Sequence, residues 1–155
     1  VYAFMNIGAF CVVVIAGENE GERTLIEDYA GMGYTRPALA AIMAIFMVSL
    51  AGLPPMGGFV AKFYIFSAAI KAGYVWLVVL AVLNSVISVD YYLRLIVVMY
   101  MQEPAGAENQ VSTAFAGQGA YAFAALLIAV AGVLGLGLFP GPVMDFALRS
   151  GVLFN

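Results

Sequence analysis

Long apolar runs, separated by short stretches that hold most of the charge, are the feature that most constrains this chain. Of its 155 residues, 65% are hydrophobic and only 10% are charged. A soluble core needs a polar shell, which so few charged residues cannot supply. In a bilayer every backbone polar group must be hydrogen-bonded within the protein, so only helices and closed barrels span it. The length of the apolar runs predicts an all-α, polytopic transmembrane helix bundle with one discontinuous helix.

The runs divide the chain into parts of a single membrane domain. The first run is shorter than the roughly 20 residues of a full span, and the chain begins with Val1 without the charged leader of a signal peptide. We therefore expect the C-terminal piece of a longer protein. The predicted parts are a truncated membrane helix (1–16), a connector with a short amphipathic helix (17–36), a broken membrane helix (37–71), a membrane helix (73–101), a loop (102–118), a membrane helix (119–139) and a tail (140–155).

Charge and cysteine content exclude several classes of function. The net charge is -3, with no histidine, so the chain lacks the basic face that a phosphate backbone requires, and nucleic acid is excluded as a partner. One cysteine, Cys11, cannot form an internal disulfide or a metal cluster and is predicted to be a small buried hydrophobe. The acidic side chains of the connector indicate a solvated loop rather than a cation site; they are Glu18, Glu20, Glu22, Glu27 and Asp28.

The stretch "SLAGLPPMGGFVAKFYIF", Ser49 to Phe66, interrupts the longest apolar segment near its middle. Gly52 can end a half-helix in the left-handed conformation. Pro54 or Pro55 can begin the next one, because the first helical positions need no intrahelical N–H partner. Unpaired backbone groups at such a break cannot face lipid, so a broken membrane helix marks a protein interior and often a transport path. The predicted structural break comprises Gly52, Pro54, Pro55, Gly57 and Gly58.

Lys62 follows this break and is flanked by aromatic residues, with no acidic residue nearby in sequence. An ammonium at mid-depth costs several kcal/mol unless it is hydrated, paired or neutral. The carbonyl end of one half-helix favours the protonated form and the amide end of the other favours the neutral form. Lys62 is therefore predicted to gain and release a proton. The alternatives are a structural ion pair with an unseen helix, or snorkelling to the interface, for which Lys71 is better placed.

Asp90 and Arg94 lie four positions apart on the next predicted membrane helix, beside Tyr91 and Tyr92. This spacing predicts a pair on one helix face. Two interpretations stay open: a structural pair near a membrane boundary, or an accessory role of Asp90, Tyr91 and Arg94 in proton conduction.

The broken stretch at Ser49 to Phe66 resembles the motif of the antiporter-like subunits of respiratory complex I, the proton-pumping NADH:quinone oxidoreductase. Within that family the chain is most similar to the subunit N (subunit 2) group, because lysine at position 62 is followed by Phe-Tyr, whereas subunit M typically has glutamate there. Three further stretches agree in order and spacing: "FMNIGAF" (4–10), "IEDYAGMGYTRPALA" (26–40) and "YYLRLIVVMY" (91–100).

The resemblance implies a proton-translocating membrane subunit whose work is driven by quinone reduction elsewhere in the complex. Lys62 matches the family's proton-relay lysine, part of a hydrated row of charges whose other members would lie before Val1. The chain itself would hold no cofactor, and other subunits would bind NADH, FMN, iron–sulfur clusters and quinone. Its partners would be the other membrane subunits, the lipid bilayer, protons and water, in a bacterial plasma membrane or an equivalent energy-transducing membrane.

Three other functions remain open at this stage. A subunit of a multisubunit Na+/H+ antiporter or membrane-bound hydrogenase shares the fold and the broken helix. A secondary transporter for an organic solute would use the half-helix ends to hold an anionic group. In a structural membrane scaffold, Lys62 would only order the helix packing.

Overall fold

The computed structural model describes residues 1–17, 25–103, 120–143 and 145–146. Within these ranges the chain forms helices and no strand, which confirms the all-α prediction. The helices are α1 (Tyr2–Gly17), a 3-10 turn (Ile26–Tyr29), α2 (Met32–Thr35), α3 (Pro37–Ala51), α4 (Gly57–Lys71), α5 (Val75–Met101) and α6 (Ala120–Leu138).

The ends of the long helices follow from residues with restricted or unusual backbone conformations. Pro37 is the first residue of α3, where its missing N–H costs no hydrogen bond. Gly52 ends that helix with a φ of 83°, in the left-handed region that glycine adopts without strain. A second left-handed glycine, Gly73 at φ 86°, turns the chain from α4 into α5.

The buried core lies where α1, α3, α5 and α6 meet. Helix α1 packs against α3 and α6, and α3 packs against α5, while α4 contacts α6 as well as α3. Small residues allow this close packing: the ring of Phe46 lies against Gly8, where a Cβ would overlap it. The largest fully buried side chains include Met5, Ile15, Met32, Leu39, Phe46, Met99 and Leu126.

Two stretches of the described helices are long and apolar enough to cross a membrane. They are Val75–Met101 and Tyr121–Leu138, whereas Tyr2–Gly17 and Pro37–Ala51 are shorter apolar helices. The outward faces of α4 and α5 carry large apolar side chains, such as Phe63. Such faces suit a bilayer or further protein helices rather than water. That α3 and α4 together form one crossing stays a prediction.

The connector differs from the predicted amphipathic helix within the residues described. Only the 3-10 turn Ile26–Tyr29 and the short helix α2 form there, and Tyr29 is buried while Leu25 and Ile26 are exposed. The backbone turns because the Asp28 carboxylate accepts the Leu25 N–H at 2.7 Å and Gly31 takes a left-handed conformation at φ 69°. The other predicted acidic residues (Glu18, Glu20, Glu22), residues 104–118 of the predicted loop and most of the predicted tail lie outside the described residues.

Candidate functional site

The predicted break is a tight turn between α3 and α4. The N–H of left-handed Gly52 donates to the carbonyls of Val48 and Ser49, at 3.2 and 3.0 Å, which closes the last turn of α3. Helix α4 begins only at Gly57, so the expectation that Pro54 or Pro55 begins it is wrong. Both prolines instead occupy the middle of a turn that the Met56 N–H closes by donating to the Leu53 carbonyl at 3.1 Å.

The two prolines leave two carbonyls at the end of α3 without their ordinary helical donors. In an α-helix the carbonyl of residue i accepts from the N–H of residue i+4, so Leu50 and Ala51 would accept from positions 54 and 55. Proline has no N–H to give. The sequence therefore places two available acceptors side by side at the end of α3.

Lys62 donates hydrogen bonds to these two carbonyls. It lies on the second turn of α4 and is partly buried, and its Nζ donates to the carbonyls of both Leu50 and Ala51 at 3.2 Å. A cation at a helix C-terminus is stabilised by the aligned peptide dipoles, and the bonds are charge-assisted. The contact is close enough that a Cβ on Gly52 would lie 3.0 Å from Nζ. The lysine is thus held by the backbone that the break exposes.

Gly57 and Gly58 permit the start of α4 to touch neighbouring backbone. A Cβ on Gly58 would overlap the Ser49 carbonyl oxygen, and one on Gly57 would lie 2.8 Å from the Val133 carbonyl oxygen of α6. The Gly58 N–H donates to the Ser49 hydroxyl at 3.1 Å. The two glycines of the predicted break are therefore sites of close backbone approach.

A cavity of about 280 Å³ lies beside Lys62, between the end of α3, α4 and α5. Lys62 and Ser85 are the polar side chains among its lining residues, and the rest of the wall is apolar. Phe59 and Phe63 stack on one side of it with their ring centroids 6.2 Å apart. Lys62 therefore contacts backbone carbonyls on one side and an open space on the other. The remaining lining residues are Ala51, Gly52, Leu53, Phe66, Val82, Val86 and Val89.

Asp90, Tyr91 and Arg94 lie on α5 but do not line this cavity. None of the three is among the cavity's lining residues, and all three are exposed on the helix surface. The predicted Asp90–Arg94 pair is wrong: within the described part of the chain neither side chain makes an ion pair or a hydrogen bond. A spacing of four permits a pair on one helix face but does not impose it, because both side chains must also adopt rotamers that face each other.

Sequence reasoning did not identify two features of this site. The carbonyls of Leu50 and Ala51 are its acceptors, and the prolines four residues further on were the signal for them. Ser49, which is fully buried, bonds to Gly58 across the break, and no local pattern marks that contact. As for metals, residues 1–17, 25–103, 120–143 and 145–146 contain no group of three or more His, Cys, Asp or Glu side chains arranged to hold an ion.

Comparison with known proteins shows where this arrangement belongs. Residues 1–88 match the family described as "NADH:quinone oxidoreductase/Mrp antiporter, TM". The chain belongs to this family. It is 47% identical over 153 residues to NADH-quinone oxidoreductase subunit N of Trichlorobacter lovleyi, covering 96% of this chain and 30% of that protein. It is also 42% identical to F(420)H(2) dehydrogenase subunit N of Methanosarcina mazei, covering 98% of this chain and 31% of that protein.

A chain in a solved structure has a similar fold. A chain of respiratory complex I from Thermus thermophilus with bound aureothin superposes with a TM-score of 0.67 at 31% identity, over 92% of this chain and 33% of that chain. The predicted resemblance to the antiporter-like subunits, and to subunit N among them, is confirmed. The chain is an integral membrane protein that spans about 30% of the length of the relatives it matches.

Proposed function

We propose that this chain is part of a proton-translocating membrane subunit of NADH:quinone oxidoreductase, and that Lys62 relays the proton. One observation carries the proposal: the Lys62 Nζ bonds to the Leu50 and Ala51 carbonyls at the break. The names of the relatives, several of them NADH-quinone oxidoreductase subunit N, support the same function. NADH, FMN, iron–sulfur clusters and quinone would be bound by other subunits of the complex.

The carbonyls and the cavity give Lys62 two environments. In its protonated state the ammonium donates to both carbonyls, with the C-terminal dipole of α3 adding to the attraction. In its neutral state the amine binds them less strongly, and its lone pair can accept a proton delivered by a donor that reaches it through the adjoining cavity. A group that exchanges its proton on one side while remaining anchored on the other suits a relay. The charged residues that pass protons to Lys62 would lie upstream of this chain.

The test is Lys62→Ala in the full-length protein within its native complex. NADH-driven quinone reduction and proton translocation are measured in sealed vesicles, with assembly checked by native gel. Lys71→Ala is the matched control, since Lys71 ends the same helix and is exposed. We expect both activities to fall at Lys62 and to persist at Lys71. A fully assembled Lys62→Ala complex with normal quinone reduction and proton translocation would contradict the proposal.

The second candidate is a subunit that moves ions in another complex. The family's description includes Mrp antiporters, and the Methanosarcina mazei relative is named as a subunit of an F(420)H(2) dehydrogenase. A Na+/H+ antiporter or a membrane-bound hydrogenase would use the same lysine. The proteins that co-purify with the chain distinguish these assemblies, because only NADH:quinone oxidoreductase would bring an NADH-oxidising partner.

A structural scaffold is the remaining alternative. Replacing Lys62 by methionine retains a long apolar side chain and removes the charge. In a scaffold this variant would alter the amount of assembled complex and leave proton translocation per electron unchanged, whereas a relay would lose translocation in complexes that have assembled.

A further inference from the structure

The first turn of α4 has no side-chain cap of its own. Its N-cap residue is Met56, which makes no capping hydrogen bond, and a thioether is a poor acceptor for the free N–H groups of a helix start. The Gly58 N–H donates instead to the Ser49 hydroxyl oxygen at 3.1 Å, on the neighbouring helix α3. Ser49 therefore does for α4 what an N-cap residue ordinarily does for its own helix.

The Ser49 hydroxyl is oriented by a third helix. Its Oγ donates to the Sδ of Met5 on α1, at 2.9 Å, and Ser49 is fully buried. A hydroxyl whose proton is directed to one neighbour presents its lone pairs elsewhere, here to Gly58. One buried oxygen thus joins α1, α3 and α4.

The contact with Gly58 also fixes the position of Lys62. Residues four apart lie on one face of a helix, so Gly58 and Lys62 face α3 together. Ser49 immediately precedes the Leu50 and Ala51 carbonyls that bind Lys62. A hydrogen bond at 3.2 Å is near the upper limit of good geometry, so withdrawal of α4 from α3 would weaken both bonds or require the lysine stem to extend.

We propose that Ser49 is a positioning residue for Lys62: its hydroxyl fastens the first turn of α4 to the last turn of α3 and so holds the lysine ammonium against the Leu50 and Ala51 carbonyls. This inference rests on the proposed proton relay at Lys62. Ser49 does not exchange the proton itself, because its hydroxyl is enclosed between Met5 and Gly58 and is not among the residues that line the cavity.

The experiment measures proton translocation per assembled complex in sealed vesicles, using the full-length protein. We expect Ser49→Ala to assemble and to translocate about fivefold more slowly, the factor associated with one hydrogen bond. Ser49→Thr keeps the hydroxyl and is expected to recover at least half of the lost rate. Equal losses in the two variants, or a wild-type rate in Ser49→Ala, would overturn the proposal.

Two further variants separate positioning from general stability. In a Lys62→Met background, Ser49→Ala is expected to cause no additional loss, because the residue it positions is gone. An additional fivefold loss there would overturn the inference. Met5→Leu keeps the core filled and leaves the bond to Gly58 available, so its rate is expected to stay within about twofold of wild type. A loss in Met5→Leu as large as in Ser49→Ala would make the effect one of core packing and also overturn it.

The Lys62 and Ser49 variants also distinguish a failure of the Ser49 inference from a failure of the proposal that Lys62 relays a proton. If Lys62→Met translocates normally, the relay proposal fails. If Lys62→Met is defective while Ser49→Ala is normal, only the role of Ser49 fails. Should Ser49→Ala not assemble, Ser49→Cys fills the site with a weaker acceptor; failure of assembly there too would give Ser49 a folding role and overturn the inference.

Discussion

Arg36 and Lys62 each donate to backbone carbonyls in the last turn of a helix, but they differ in whether they can exchange a proton. Arg36 donates from its Nη1 to the Ala16 carbonyl in the last turn of α1, at 3.3 Å, and is only 5% exposed. Lys62 donates to two carbonyls at the end of α3 and lines a cavity. The guanidinium keeps its proton in any protein, whereas an ammonium can lose one. Arg36 is therefore a permanent tie between elements, and Lys62 is suited to exchange.

The carbonyls at the end of α3 are available because of the residues that follow them. Leu50 and Ala51 precede two prolines that remove their helical donors. Lys62 therefore binds two acceptors for which no N–H at positions 54 and 55 competes.

The largest effect is expected when the permanent tie is removed. Arg36→Met leaves the Ala16 carbonyl without this donor in a buried site, and we expect a loss of about 3 kcal/mol in the free energy of unfolding. The measurement is the amount of assembled complex on native gels together with its rate of thermal inactivation. Arg94→Met, at an exposed arginine on α5, is the control and should behave like wild type. A normally stable Arg36→Met complex would show that the tie is not structural.

The next largest effect is expected when Lys62 is replaced by arginine, the residue type found at position 36. Lys62→Arg keeps the positive charge and can reach the same carbonyls, but it cannot release its proton. We expect normal assembly and at least about a tenfold loss of proton translocation. Translocation at the wild-type rate would mean that charge alone, without proton exchange, is what position 62 contributes.

A smaller effect is expected from a change in the backbone beneath Lys62. Gly52→Ala forces a left-handed residue to carry a Cβ, at a cost of about 1 kcal/mol, and that atom would meet Nζ at 3.0 Å. Gly73→Ala has nearly the same φ with nothing within 4 Å of its Cβ. Both variants should lose similar stability in thermal inactivation. Only Gly52→Ala should also slow translocation per complex, by about fivefold; equal rates would indicate that Lys62 tolerates displacement.

The smallest effect is expected at Asp90. Its carboxylate is exposed on the described helices and is not among the groups that line the cavity, so we expect Asp90→Asn to change both assembly and translocation by less than about twofold. Initial rates in vesicles at matched complex content test this. A tenfold loss would place Asp90 on the proton path after all.

The break was predictable in part because its chemistry is local. A glycine before two prolines can hardly continue a helix, so the left-handed Gly52 followed from residue type alone. The start of α4 did not, because a turn closed by Met56 competes with the preference of proline for the first helical position.

The contacts across the break depend on packing that no short pattern encodes. Ser49 meets Gly58 because glycine allows α4 to approach the α3 backbone, and that approach is a property of two helices together. Asp90 and Arg94 show the converse, since a favourable spacing along α5 produced no pair where both side chains are exposed.

The Leu50 and Ala51 carbonyls give the end of α3 a dependence on a distant side chain. Helix α3 lacks the two amide donors that would have extended it, and one lysine amine stands in their place. In the proposed relay, each deprotonation of Lys62 would weaken these two bonds and each protonation would strengthen them. The order of the α3 terminus and the protonation of Lys62 would then change together, so the passage of a proton would also loosen and tighten the junction between two helices.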